Sequence, residues 1–297
     1  MKLRPRTRRL LLGLLFTSPF TVGFLGLTII PVLASLYYSF TRYAILTPPK
    51  WIGLGNYVTL FTKDDLFGKS LGNTAYYSLM AVPLGLIVSF MLALALNVKV
   101  RGMAAYRTIY FLPTLVPSVA LAILWLWLFN AQYGLINSAL NLIGLPGLGW
   151  ITDPKTAMPS LVIMSLWTVG QTVIIFLAGL QDVPVHLYEA AEIDGAGTLA
   201  KVFYVTIPML TPVILFNLLT GIIASFQTFT QAYIMTNGGP ANATLFYVLY
   251  LYRNGFQYIK MGYASALAWV LFVIVLALTM VNWWLRKKWV VTERGDL

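Results

Sequence analysis

Four of the nine carboxylates in this 297-residue chain, Asp182, Glu189, Glu192 and Asp194, fall in one short stretch, DVPVHLYEAAEIDGAG. Acids gathered on one surface suit charge pairing with basic residues of a partner protein. No catalytic or metal-ligand set is read. The single histidine, His186, reads as a surface residue, and the absence of cysteine removes disulfide and thiol chemistry. A second kind of chemistry is uncharged. Asn217, Thr220, Gln227, Thr228 and Gln231 fall within an arc of about 100° on a helical wheel, and Ser165, Thr168, Gln171 and Thr172 within about 120°. Amides and hydroxyls beside aromatic rings suit sugar hydroxyls, although the same residues also suit hydrogen bonding between membrane helices. A third candidate fails on spacing. GKS at Gly68 to Ser70 is like the end of a phosphate-binding loop, yet Lys63 stands where that motif needs a glycine.

The elements that must position these residues are membrane helices. Hydrophobic residues make up 59% of the chain and charged residues 10%, against roughly 25% charged in a soluble domain. Charge-free runs long enough for the ~20 apolar residues that cross a bilayer predict six spans, at about 10–40, 71–96, 109–129, 158–180, 208–235 and 262–285. The first could instead be a signal peptide, since MKLRPRTRR is a basic leader and Ala34 a small cleavage-type residue, but its apolar run is about twice the usual length. With the N-terminus cytoplasmic, the inner segments hold Lys2, Arg4, Arg6, Arg8, Arg9, Lys99, Arg101, Arg107, Lys201, Arg286, Lys287, Lys288 and Arg294. These are thirteen of the twenty basic residues, so the positive-inside rule puts both termini in the cytoplasm. The net charge of +11 therefore reads as topology and lipid contact, not as nucleic-acid binding. Trp51 outside and Trp283, Trp284 and Trp289 inside fit interfacial anchors.

None of the six spans contains Asp, Glu, Lys, Arg or His. Proton-coupled carriers place such groups inside the membrane, so proton coupling is disfavoured, while sodium held by carbonyls at broken helices stays open. Prolines at 31, 83, 113 and 117 are expected to kink their spans. Active transport by such a chain needs energy from another one.

The acidic stretch carries helix punctuation. Asp182 can cap, Pro184 suits a first turn, Val185 to Ile193 holds good helix formers, and Gly195 is the expected stop. Thr198 is then expected to cap a second helix running toward Pro208. Leu187, Tyr188, Ala190, Ala191 and Ile193 would leave an apolar surface that calls for a groove on a partner, unless the stretch packs as a solvated loop on its own inner turn. EAAEIDGAGTLAKVFYVTIPMLTP resembles the EAA loop of permease subunits of bacterial binding-protein-dependent ABC importers, with Glu189, Ala190, Ala191, Asp194, Gly195, Ala196 and Pro208 at the family's positions. Ile207 stands where leucine is usual. WIGLGNYVTLF, YRTIYFLPTLVPSVALAILWLWLFN and TNGGPANAT extend the likeness over nearly the whole chain, to the carbohydrate-uptake class with maltose-type and sn-glycerol-3-phosphate-type permeases.

That resemblance implies an all-α integral membrane protein with the type I ABC importer permease fold, one domain over residues 1–297 in the bacterial inner membrane. It implies that loop 181–207 seats in a cleft of an ATPase subunit, and that sugar contacts lie in the fourth and fifth spans. The implied partners are a second homologous permease, two ATP-binding cassette subunits that hold ATP and Mg, an extracytoplasmic solute-binding protein and a sugar. This chain would bind no cofactor and catalyse no bond chemistry. Without a buried cation an anionic substrate lacks a charge partner at the midplane, which favours a neutral sugar. The alternatives are a stand-alone secondary sugar carrier, a glycerol-3-phosphate permease and a non-transporting scaffold.

Overall fold

The computed structural model describes residues 5–98 and 100–289, with side chains from Leu12 to Arg286. The chain forms two compact units, one of the chain up to Asp64 with Leu251–Phe272, the other of Asp65–Tyr250 with the chain from Val273 onward. Several basic residues that argue for orientation, among them Lys2, Arg4, Lys99 and Arg294, lie outside the described residues, so cytoplasmic termini remain an expectation.

In the first unit, α1 spans residues 5–39, with a π turn at Leu25–Ile29 just before Pro31. Pro31 has no N–H for the preceding turn, and the helix widens there without breaking. α1 then leads into a hairpin, β1 (Thr41–Ala44) and β2 (Thr47–Trp51), with Thr41 opposite Trp51 and Arg42 opposite Lys50. This two-stranded hairpin is a small addition to an otherwise helical fold among the described residues. Pro48 and Pro49 are tolerated because a two-stranded ribbon has only edges. The short helix α2 (Gly55–Thr62) is fastened to it by buried Asn56, whose amide donates to the carbonyls of Ser39 (2.8 Å) and Thr41 (2.9 Å). Trp51, read as an interfacial anchor, stacks on Phe40. In the same unit Gly262 is required by contact, since a Cβ there would meet the Thr41 carbonyl at 2.1 Å.

The second unit is built around α3 (Asp65–Leu96). Its 32 residues reach about 48 Å, beyond the ~30 Å hydrocarbon core. The helix therefore starts six residues before the expected Leu71, with Asp65 complementing the positive N-terminal end of the helix dipole. Pro83 sits inside it without interrupting it. The Arg107 guanidinium donates to the terminal Leu96 carbonyl at 3.0 Å.

Three of the expected spans are bent. α4 (Met103–Phe111) and the 3-10 turn Leu112–Leu115 meet α5 (Ser118–Leu128) at 97°, with Pro113 and Pro117 at the break. A short helix, α6 (Leu135–Leu142), follows. α7 (Pro154–Leu166) and α8 (Gly170–Asp182) meet at 48°. No proline causes that bend: the chain tightens through bonds from Trp167 N to Met164 O and from Thr168 N to Ser165 O. Then come α9 (Val185–Ile193), α10 (Thr198–Met209, with a π turn at Val202–Thr206) and α11 (Thr211–Phe226). α10 and α11 meet at 67°. Pro212 cannot donate to the Pro208 carbonyl, and the Thr211 hydroxyl does so instead at 2.8 Å. The fifth span was expected to run unbroken to Met235. It leaves the helix after Phe226, and a π turn follows at Ala232–Thr236.

α12 (Tyr247–Tyr252) and α13 (Met261–Trp289) complete the chain. Counting each bent pair as one span gives up to six, and only three described helices are long and apolar enough singly. α3 packs against α7, α8 and α11. One core joins Ala93 and Leu96 of α3 to Val173, Phe176, Leu177 and Leu180 of α8 and to Leu210 at the α10–α11 bend. Close approach there depends on Gly179, where a Cβ would lie 2.8 Å from Leu210 and 2.9 Å from Val213.

Candidate functional site

The acidic stretch forms a helix and a tight elbow. Pro184 is the N-cap of α9 and Asp182 is the last residue of α8, so Asp182 does not cap as expected. Gly195 takes φ +79°, the left-handed conformation that glycine adopts without strain. The Gly195 N–H donates to Glu192 O at 3.0 Å and the Ala196 N–H to Ala191 O at 2.8 Å. This double closure is a Schellman motif and satisfies the last carbonyls of α9. The next helix begins at Thr198 with Gly197 as its N-cap, so Thr198 is the first helical residue and not the cap.

Two side-chain links brace the elbow. Lys201 pairs with Glu192, and the Tyr188 hydroxyl bonds that of Thr206 at 3.1 Å. These links change the expected apolar face. Leu187, Tyr188 and Ala191 are half-buried, whereas Ala190 and Ile193 stay exposed and are joined by Leu199, Phe203 and Tyr204, with Ile193 at 87% and Tyr204 at 83%. Glu189, Asp194 and His186 are exposed, and Pro208 is half-buried. Helical periodicity within α9 alone could not reveal Leu199, Phe203 and Tyr204, because the turn at Gly195 brings them in.

A pocket of about 270 Å³ lies among α3, the α7–α8 bend and α11, with the segment beyond α11 at its rim. Of the polar residues read from the sequence, Ser165, Thr172, Asn217, Thr228 and Gln231 line it. Thr168, Gln171, Thr220 and Gln227 are not among the lining residues, and the last three are exposed. For Gln227 the reason is the break after Phe226, which invalidates a single wheel from Asn217 to Gln231. Thr168 and Gln171 stand at the α7–α8 bend, which does the same to the wheel over the fourth span, and Thr220 is an exposed residue of α11 itself. Tyr77, Gly85, Gly221 and Ser225 also line the pocket and were missed. Tyr77 shares the pocket wall with Ser165 and Thr228. Ser225 donates to Ser78 at 2.7 Å. A readable signal for α3 existed in its small residues Thr74, Ser78, Ala81, Gly85, Ser89 and Ala93, spaced by three or four, the pattern that brings membrane helices close.

No lining residue carries a formal charge. The pocket therefore offers hydrogen bonds to a neutral ligand and no ion pair. GKS lies in the first turns of α3, where Lys69 donates to Ala241 O at 2.7 Å and Ser70 is buried. With Asn73 donating to Asn242 O at 2.8 Å, it pins the segment TNGGPANAT onto α3.

The profile of the family described as "Binding-protein-dependent transport system inner membrane component" matches residues 81–289, and the chain belongs to this family. It has the type I ABC importer permease fold and is an inner-membrane transport component, not an enzyme. It is 44% identical over 290 residues to the probable ABC transporter permease protein YesP of Bacillus subtilis (strain 168), which covers 96% of this chain and 94% of that protein. It is 34% identical over 284 residues to the lactose transport system permease protein LacF of Rhizobium radiobacter, covering 93% and 94%. Among solved structures, a chain of the bacterial alginate ABC transporter in complex with alginate pentasaccharide-bound periplasmic protein superposes with a TM-score of 0.83 at 25% identity, covering 98% of each.

Proposed function

We propose that this chain, a permease subunit of a carbohydrate ABC importer, forms half of a translocation pathway by alternating access and receives its driving force through the elbow at Glu189 to Pro208. The observation that carries the proposal is one continuous mechanical path. α9 ends at the Gly195 elbow, α10 runs from the elbow to the bend at Leu210, and α11 carries Asn217, Gly221 and Ser225 into the pocket. A load applied to α9 passes along α10 and α11 to the ligand-facing side chains. The exposed acids and apolar residues of the elbow suit a groove on an ATPase subunit that holds ATP and Mg.

The assembly would contain a second related permease, two such ATPases and an extracytoplasmic solute-binding protein, with both termini of this chain in the cytoplasm. At about 270 Å³ the pocket falls just under the ~300 Å³ where small-molecule sites begin, consistent with a pathway completed by the second permease. Lactose and alginate, named for two relatives, place the substrate among carbohydrates. The absence of charge in the lining favours a neutral sugar over an acidic one. ATP binding would close the ATPase pair and turn the pocket outward, and hydrolysis would reset it. Sugar uptake that collapses on ATP depletion and survives an uncoupler is expected, and the opposite pattern would establish a stand-alone secondary carrier instead.

A further inference from the structure

The segment between α5 and α7, residues 129–153, is folded inside out for water. From Asn130 to Ile151 it carries no Asp, Glu, Lys, Arg or His. Its polar hub is turned inward. Asn137 of α6, 3% exposed, donates to the carbonyls of Ala131 and Leu148 at 2.9 Å each. Its side-chain oxygen accepts from Leu148 N at 3.0 Å and from the Trp150 indole at 2.7 Å. The apolar residues are turned outward. Leu135 and Leu142 stand one heptad apart on the face opposite Asn137, and Leu142 is 88% exposed, Ile143 71%, with Tyr133 and Leu145 also exposed.

In water such a fold would expose large aliphatic side chains while burying its most connected amide, Asn137; the polar side chains it leaves exposed, Gln132, Ser138 and Asn141, are all uncharged. The end of α6 is already satisfied internally, with Gly144 N donating to Asn141 O at 3.1 Å and Leu145 N to Leu140 O at 2.9 Å. Nothing in the segment therefore needs water on the apolar side. Both its flanks are ends of membrane helices, α5 before it and α7 after it, and Trp127 of α5 is itself exposed beside Tyr133 in sequence. Large aromatics at that level are the residues of a membrane interface. A solute-binding protein that docks and leaves would bare this surface between encounters, and the interfaces of such partners are no more apolar than ordinary surface.

We propose that residues 129–153 form an interfacial foot, with Leu135 and Leu142 of α6 and the Ile143 that ends it resting in the lipid at the headgroup and acyl boundary. The natural absence of cysteine makes the test direct. A single cysteine at Leu142, and separately at Ile143, is labelled with an environment-sensitive dye in the complete transporter, which is then placed in lipid nanodiscs. Lys63→Cys, at an exposed charged site, serves as the aqueous reference. Blue-shifted emission at positions 142 and 143, quenched more by bromine carried on the acyl chains than by aqueous iodide, with the order reversed at position 63, is expected. Stronger quenching by iodide at positions 142 and 143 would overturn the proposal. So would protection from both quenchers, which marks burial against the second permease, or shielding that arises only when binding protein is added.

Discussion

Replacing Gly195 separates two contributions to the elbow. At φ +79° an L-residue is strained, while no heavy atom lies within 4 Å of a Cβ built there. The perturbation by alanine is thus purely conformational within this chain. An L-residue in the left-handed region costs about 1–2 kcal/mol, and one or two kcal/mol changes a conformer ratio by a factor of about 5–30. Gly195→Ala should weaken ATPase retention during purification by up to that factor. Gly195→Asn should do so less, because asparagine tolerates this region better. Gly195→Trp carries the same backbone cost and adds bulk on the exposed side, so it should lose most. The elbow is solvent-facing, so all three variants should insert into the membrane and unfold at nearly the wild-type temperature. The assay is the ATPase-to-permease ratio after affinity purification. Wild-type retention by both the alanine and asparagine variants would refute the conformational argument, even if tryptophan still disrupted the complex.

Glu189→Lys should lower ATPase retention without affecting insertion, measured by the same pull-down, since it reverses a charge on the face assigned to the partner. The Glu192–Lys201 pair is partly exposed, Glu192 at 62%, so Lys201→Met should cost only about 0.2–1 kcal/mol in thermal stability yet reduce sugar-stimulated ATP hydrolysis. The exchange of Glu192→Lys with Lys201→Glu should restore it. Gly170→Ala should destabilise by about 1–3 kcal/mol through overpacking, because its Cβ would lie 2.6 Å from Tyr110 O and 2.9 Å from Thr114. Gly85→Ala, whose nearest neighbour would be 3.9 Å away, should leave the melting temperature unchanged or raise it. Asn217→Leu removes a pocket amide at similar volume, and loss of a hydrogen bond of about 0.5–1.5 kcal/mol should slow uptake roughly 2- to 10-fold while ATPase retention stays intact.

The sequence by itself determined the material of this protein. Charge-free runs of fixed length dictate membrane helices, because an unpaired backbone in lipid is too costly and an ionised side chain there nearly so. It determined the elbow as well, since glycine stops, helix formers and the order EAAEIDGAG act through contacts a few residues apart. Local order also placed the break at Pro113 and Pro117. What only the tertiary structure decided is long-range. The bend at Trp167 to Val169 has no proline to announce it, and the same residue type leaves one helix unbroken and stands at the break of another, as Pro83 and Pro117 demonstrate. The helix break after Phe226 moved Gln227 out of the pocket and kept Gln231 in it. Tyr77 and Ser225 entered the pocket only because distant segments pack against each other, while Leu199 and Tyr204 joined the elbow surface through the turn at Gly195, which a wheel over α9 alone does not include. Periodicity reports which residues share a face of one helix; which faces meet depends on bends and close approaches set by the whole fold.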